Sequence, residues 1–142
     1  MIKFYKYQGT GNDFIMIDNR NRSFPKNDVD LVKKMCDRRF GIGADGLILL
    51  ENHENLDFQM VYYNSDGNES TMCGNGGRCI VAFARFLNVF ENKAKFNAID
   101  GLHEAEINGN VVKLKMIDVP GIIKIGADYQ LNTGSPHFVR YV

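Results

Sequence analysis

The stretch that decides the fold reads STMCGNGGRC at residues 70–79 and continues as IVAFARFL at residues 80–87. Residues 80–87 carry apolar side chains around almost the whole circumference of a helix, and Arg85 alone interrupts them. A helix that is apolar on all sides is a buried helix. We therefore predict that the rest of the chain surrounds this helix on every side.

The glycines of this stretch, at positions 74, 76 and 77, fall in the first turn of the predicted helix. Backbone N–H groups in a first turn have no acceptor within the helix and lie at the positive end of its dipole, where they bind anions. Cys73 directly precedes this end, a position that favours the reactive thiolate form of a cysteine. Two interpretations stay open from these residues alone: an activated thiol beside an anion site, or a glycine-rich turn before a core helix with an inert, buried cysteine.

Length and composition limit the functional classes. A chain of 142 residues is long enough for one domain with its own core, so we predict a single domain over residues 1–142. The 17 Lys and Arg residues balance the 17 Asp and Glu residues, so nothing attracts the chain to nucleic acid and its expected ligand is a small molecule. The three cysteines read as free thiols of a reducing compartment. With neither a signal peptide nor a membrane-spanning run in the sequence, we expect a cytoplasmic protein that does not contact the membrane.

The rest of the chain has the pattern of many short strands. Alternating or β-branched and aromatic runs predict strands at residues 2–7, 13–18, 47–51, 56–63, 95–99, 102–107 and 111–117, and two more around a tight turn between residues 129 and 141. A further helix is predicted from Asp28 to Arg38, with Val29, Val32, Met35 and Cys36 on its core face. Together these elements predict an α+β fold, in which a curved, mainly antiparallel β-sheet wraps around the central buried helix.

Five separated motifs, in this order along the chain, resemble the diaminopimelate epimerase family. They are Gly11–Phe14, Gly41–Gly46, Asn64 with Asp66 and Gly67, Cys73–Gly76 with Arg78, and Gly134–His137. The resemblance covers the whole chain but only the N-terminal half of such an enzyme. It implies two similar halves, each a sheet around a central helix, with the substrate between them. We therefore expect that this chain lacks the C-terminal half of the enzyme and that this half is its binding partner. A homodimer is a further possibility that the sequence leaves open.

The resemblance also implies an activity. Family members interconvert LL- and meso-diaminopimelate, on the pathway to lysine and peptidoglycan, without pyridoxal phosphate, a metal or any other cofactor. Two cysteines exchange the proton at the substrate Cα, one as base and one as acid. Matched by position to the family motifs, Cys73 corresponds to one of the two catalytic cysteines. His137 corresponds to a histidine that tunes the reactivity of this cysteine. The implied substrate-binding residues are Asn12, Asn64, Gly74 and Asn75, the last two at the substrate carboxylate.

The chain departs from the family pattern at several points. Gly46 stands where some members carry a glutamine that touches substrate, and Ser135 replaces a common asparagine. The second catalytic cysteine belongs to the absent half. Cys36 and Cys79 are predicted on apolar helix faces, so neither can oppose Cys73 across a substrate. We therefore expect that residues 1–142 alone do not epimerise diaminopimelate.

Three other classes remain as alternatives. A proline racemase or phenazine-pathway isomerase shares the two-half architecture, although the Cys-Gly-Asn-Gly run together with Asn12 and Asn64 favours diaminopimelate. A non-catalytic amino-acid-binding or interaction domain, remaining from such an enzyme, is a second. A zinc protein that uses the cysteines and a histidine is a third, but the sequence lacks the closely paired ligands of zinc sites, so we predict no metal site.

Overall fold

The computed structural model describes residues 1–142, which form two helices and two β-sheets. The larger sheet has seven strands, which neighbour one another in chain order. These strands are β1 (Tyr5–Gly9), β2 (Asn12–Asp18), β3 (Gly46–Glu51), β4 (Phe58–Asn64), β5 (Lys93–Ala98), β6 (Gly101–Asn108) and β7 (Val111–Lys115). The helices are α1 (Val29–Cys36), between β2 and β3, and α2 (Gly74–Phe86), between β4 and β5. Neither helix combines the length and the apolar composition that crossing a membrane requires.

Most neighbouring strands of the larger sheet are antiparallel, but β2 with β3 and β4 with β5 are parallel. Parallel neighbours need a long crossover, and α1 and α2 lie within these two crossovers. The predicted α+β fold, a mainly antiparallel sheet wrapped around a helix, is confirmed. The two parallel crossovers were not predicted, because the local pattern of a strand does not reveal its direction or its place in the sheet.

The middle of the larger sheet is buried on both faces. All six residues of β3 are buried. Ile48 and Leu50 pack into the cluster around α2, whereas Leu47 and Leu49 pack into a second cluster with α1. Successive side chains of a strand point to opposite faces, so a strand between two helices is apolar throughout.

Helix α2 touches strands at both edges of the larger sheet, β1 and β7, as well as strands in its middle. The sheet therefore curls around the helix. The prediction that α2 is covered on every side is wrong, because Arg78, Arg85 and Phe86 are exposed, Phe86 to 57%. Seven strands enclose only part of the helix circumference and leave this face open.

Helix α1 begins after Asp28, whose carboxylate accepts a hydrogen bond from the backbone N–H of Leu31 at 2.9 Å. Such capping stabilises a first turn. Of the predicted core face, Val32 and Cys36 are buried, but Val29 is 43% exposed. The helix ends at Cys36, two residues before the predicted end, because Asp37 adopts an extended conformation.

The smaller sheet has three antiparallel strands, β8 (Ile122–Ile125), β9 (Asp128–Asn132) and β10 (Pro136–Val139). The last two are the predicted pair around a tight turn, and β8 was missed. Every residue of β8 and β10 is exposed. The turn between β9 and β10 contacts the segment before α2, where the Ser135 hydroxyl donates to the Met72 carbonyl at 2.8 Å.

Candidate functional site

Cys73 is the N-cap residue of α2 and carries the only partly exposed thiol of the chain. Its sulfur accepts a hydrogen bond from the backbone N–H of Gly76 at 3.4 Å. The thiol in turn donates to Oδ1 of Asn12, with 3.6 Å between sulfur and oxygen. Ser, Thr, Asp and Asn are the side chains that usually cap a helix start. A cysteine in this place is therefore explained better by chemistry than by helix stability.

The first turn of α2 has two backbone N–H groups, those of Gly74 and Asn75, with no acceptor inside the protein. The next two are occupied, since Gly76 donates to the Cys73 sulfur and Gly77 to the Cys73 carbonyl. Arg78 lies beside them and donates to Oδ1 of Asn75 at 2.8 Å. Two free amides, the helix dipole and a guanidinium together form a site suited to an anion such as a carboxylate.

The glycines of this turn let the start of α2 approach the sheet closely. A Cβ at Gly76 would lie 2.9 Å from Cδ1 of Ile48. A Cβ at Gly77 would lie 2.6 Å from Cε of Met72 and 2.7 Å from Cδ2 of Leu114. Both glycines therefore serve packing, whereas a Cβ at Gly74 would meet no atom closer than 3.9 Å.

Asn12 joins the thiol to the neighbouring polar groups. Its Nδ2 donates to Oδ2 of Asp45 at 2.7 Å, which leaves Oδ1 as the acceptor for Cys73. The same Oδ1 accepts a longer hydrogen bond from Nδ2 of Asn75 at 3.4 Å. The structure thus brings together four of the predicted site residues, which are Cys73, Asn12, Gly74 and Asn75.

Sequence reasoning missed the charged residues that hold Asn12. Arg38 donates to Oδ1 of Asp13 at 2.7 Å and to Oδ1 of Asp45 at 2.8 Å. The Arg38 guanidinium holds the pKa of Asp13 far below its ordinary value, with Lys6 contributing. The Asn12 amide, the Asp13 backbone and Arg38 lower the pKa of Asp45 as well. Because both carboxyls stay ionised, Asp45 accepts from Asn12 and keeps the amide of Asn12 in one orientation.

Asp13 and Asp45 both lie within motifs that carry the family resemblance, but nothing in these motifs indicates that the two carboxylates hold Asn12. For Arg38 the sequence indicated only that it lies at the predicted end of α1. It contacts residues 25 and 7 positions away in the chain, and such a contact has no signature in a single sequence.

Asn64 lies at the end of β4, opposite Gly46 of β3, and is exposed. It forms no hydrogen bond with Cys73 or Asn12. Its Oδ1 accepts instead from the Tyr62 hydroxyl at 3.0 Å. At Gly46 a Cβ would lie 2.5 Å from both Cε2 of Tyr62 and the carbonyl oxygen of Tyr63. A glutamine has no room at position 46 of this structure.

His137 lies in β10, is exposed, and has Nε2 2.9 Å from the Thr133 hydroxyl. No hydrogen bond links it to Cys73. Ser135, two residues before it, is anchored beside Cys73 through the Met72 carbonyl. The function of His137 at the thiol therefore stays a prediction.

The other two cysteines are buried in separate clusters, Cys36 with α1 and Cys79 with α2. Burial raises the pKa of Cys36 to about 11 and that of Cys79 to about 11, so both remain neutral thiols near pH 7. The structure places no three His, Cys, Asp or Glu side chains close enough together to bind a metal ion.

Sequence comparisons with known proteins point to one family. The sequence model of the diaminopimelate epimerase family matches residues 4–119. The diaminopimelate epimerase of Flavobacterium psychrophilum is 65% identical over 142 residues, which cover 99% of this chain and 55% of that protein. The diaminopimelate epimerase of Chlorobaculum tepidum is 46% identical, over 94% of this chain and 55% of that protein. The chain thus spans about half the length of these curated relatives.

Solved structures share the fold at low sequence identity. A phenazine biosynthesis protein of the PhzF family from Bacillus anthracis superposes with a TM-score of 0.61 at 15% identity, over 89% of this chain and 42% of that one. A hydroxyproline epimerase from Agrobacterium vitis superposes with a TM-score of 0.52 at 13% identity, over 97% of this chain and 45% of that one. At this identity the likeness establishes the fold alone.

Proposed function

The chain belongs to the diaminopimelate epimerase family, and on that premise we propose that it forms the half of an epimerase that supplies one of two catalytic cysteines. The proposed reaction interconverts LL- and meso-diaminopimelate without a cofactor, in the cytoplasmic pathway to lysine and peptidoglycan. The observation that carries the proposal is the Cys73 thiol, partly exposed between Asn12 and the free amides of α2.

Cys73 has a neighbour suited to each of its protonation states. The thiol donates its hydrogen to Oδ1 of Asn12, whereas the thiolate is stabilised by the Gly76 N–H and the positive end of α2. An acid–base residue has to visit both states in each catalytic cycle. Because Asp45 fixes the Asn12 amide, the acceptor for the thiol hydrogen is already in place before substrate binds.

The free amides of Gly74 and Asn75 supply the electrostatic part of the mechanism. In the proposed step, the Cys73 thiolate takes the proton from the substrate Cα, and the electron pair left behind spreads into the adjacent carboxylate. N–H donors aimed at that carboxylate stabilise the developing negative charge, as an oxyanion hole does. The guanidinium of Arg78, close to these amides, adds to the same field.

The proton on the opposite face has to come from a second cysteine. Cys36 and Cys79 are buried in apolar clusters, so we assign this cysteine to the C-terminal half of the enzyme. The exposed apolar side chains of the smaller sheet are the surface we propose that half covers. They include Ile122, Ile123, Ile125 and Phe138.

The test is proton exchange at the diaminopimelate Cα in deuterated water, with the complete gene product that contains residues 1–142. We expect Cys73→Ala to lower the exchange rate by about a thousandfold, since a general base is lost. Cys79→Ala is the matched control, because it removes a thiol from the same helix without touching the site. Undiminished exchange in Cys73→Ala would refute the proposal. A non-catalytic binding domain, the alternative, would bind diaminopimelate in calorimetry without any exchange.

A further inference from the structure

Tyr62 is a residue of β4 that neither the motifs nor the proposed proton transfer involves. Its ring is half-buried and packs against the edge of Phe14, with 5.9 Å between ring centroids. Its hydroxyl donates to Oδ1 of Asn64 at 3.0 Å. A packed ring with a polar tip is well suited to fix the position of an exposed neighbour.

Gly46 provides the space that the Tyr62 ring occupies. The two residues lie on adjacent strands, since Gly46 pairs with Asn64 and Ile48 with Tyr62. A Cβ at Gly46 would lie 2.5 Å from Cε2 and 3.3 Å from Cζ of Tyr62. The backbone at Gly46 does not need positive φ, so the glycine is explained by this close approach rather than by its own conformation.

In the structure the Tyr62 hydroxyl contacts the oxygen end of the Asn64 amide. An asparagine amide has one oxygen acceptor and one NH₂ donor, and rotation by 180° exchanges them. The Tyr62 hydroxyl occupies the oxygen, while the NH₂ group has no partner within the protein. Burial raises the pKa of Tyr62 to about 12. The hydroxyl therefore stays protonated and remains a donor at neutral pH.

We propose that Tyr62 is a positioning residue, which holds Asn64 so that its NH₂ group faces the ligand, and that Gly46 makes this arrangement possible. The group bound at Asn64 is then a hydrogen-bond acceptor, such as a carboxylate oxygen. This inference rests on the proposed function only in so far as Asn64 contacts the substrate. Whether Tyr62 holds Asn64 can be tested without any activity.

The experiment compares Tyr62→Phe with Tyr7→Phe in the complete gene product. Tyr7 is the matched control, because its ring is also half-buried and packs on Phe83 at 5.6 Å, but its hydroxyl has no hydrogen-bond partner. The first readout is the pair of Asn64 side-chain NH₂ signals in the NMR spectrum, assigned by their loss in Asn64→Ala. We expect Tyr62→Phe to shift and broaden this pair and Tyr7→Phe to leave it unchanged.

The second readout is steady-state kinetics with diaminopimelate. Loss of one neutral hydrogen bond should raise KM about fivefold in Tyr62→Phe, with kcat within about twofold. Added to Asn64→Ala, the same substitution should change KM by less than about twofold, because Tyr62 acts through Asn64.

Two results would overturn the inference: unchanged Asn64 signals in Tyr62→Phe, or an equal rise in KM with and without Asn64→Ala. Absence of proton exchange in the unsubstituted protein would instead refute the proposed function. The NMR comparison would then still decide whether Tyr62 holds Asn64.

Discussion

The seven-stranded sheet and the three-stranded sheet differ in what their strands pack against. In the larger sheet β3 is buried on both faces, by α1 on one side and α2 on the other. In the smaller sheet β8 and β10 are exposed along their whole length, although isoleucines dominate β8. The larger sheet is thus stabilised by the chain's own helices. The smaller sheet instead exposes apolar side chains of the kind that another domain or protein usually covers. The proposed site lies where the two sheets meet, at the start of α2.

The largest expected effect comes from replacing by alanine one phenylalanine that packs against the larger sheet and, for comparison, one in the smaller sheet. Phe83 of α2 is fully buried, so Phe83→Ala should lower the free energy of unfolding by about 3–5 kcal/mol. Phe138 of β10 is 58% exposed, so Phe138→Ala should change it by less than about 0.5 kcal/mol in residues 1–142 alone. Urea unfolding measures both.

The same pair also tests the proposed partner. If the C-terminal half covers the smaller sheet, Phe138→Ala should cost more than about 1 kcal/mol in the complete gene product. An equally small effect in both contexts would mean that Phe138 stays exposed and that the proposed interface lies elsewhere.

A medium effect is expected from adding one methyl group at a glycine. Gly46→Ala places a Cβ 2.5 Å from the Tyr63 carbonyl, a backbone atom that cannot move aside, and should cost about 1–3 kcal/mol. Gly121→Ala, just before β8, meets no atom within 4 Å and is the matched control, with an expected change below about 0.5 kcal/mol. Thermal unfolding of both variants checks this, and equal stability would contradict the packing described at Gly46.

The smallest expected effect concerns how the free energy of unfolding depends on pH in acid. The pKa of Asp13 is lowered chiefly by Arg38, so this stabilisation is present above the ordinary Asp value of about 4 and is lost as pH falls. Arg38→Met should therefore lower stability at pH 7 and flatten its decline towards pH 2. Lys124→Met, in β8, removes a charge without an ion-pair partner and should keep the wild-type slope. Parallel curves for Arg38→Met and wild type, from urea unfolding across this range, would contradict the prediction.

Local patterns in the sequence predicted much of the larger sheet, because alternation and helical periodicity depend on a few neighbouring residues. Both helices and six of the seven strands of that sheet lie close to their predicted bounds, whereas β1 covers Tyr5–Gly9 instead of the predicted residues 2–7. The open face of α2 could not be predicted, since an apolar side chain such as Phe86 indicates a preference for burial and not whether a strand is there to bury it. Strand β8 was missed for a related reason, because its four residues are too short a run to alternate clearly.

The candidate site was predicted in part. The motifs marked Cys73, Asn12 and the first turn of α2, which the structure brings together. They did not indicate that Arg38 fixes Asn12 through Asp45, because that chain of contacts is made by folding. For His137 the motif suggests a function at the thiol that no contact in the structure accompanies, since its hydrogen bond is to Thr133.

The curl of the larger sheet has a consequence for ligand binding. Helix α2 contacts both edge strands, β1 and β7, and four of the five strands between them, so the helix that carries the first turn is packed against most of the sheet. An anion can bind the amides of Gly74 and Asn75 only when the first turn of α2 is folded. Its binding energy would therefore add to the free energy of unfolding of the structure that supports this turn. A substrate bound at this helix end would therefore stabilise α2 together with the six strands that α2 contacts.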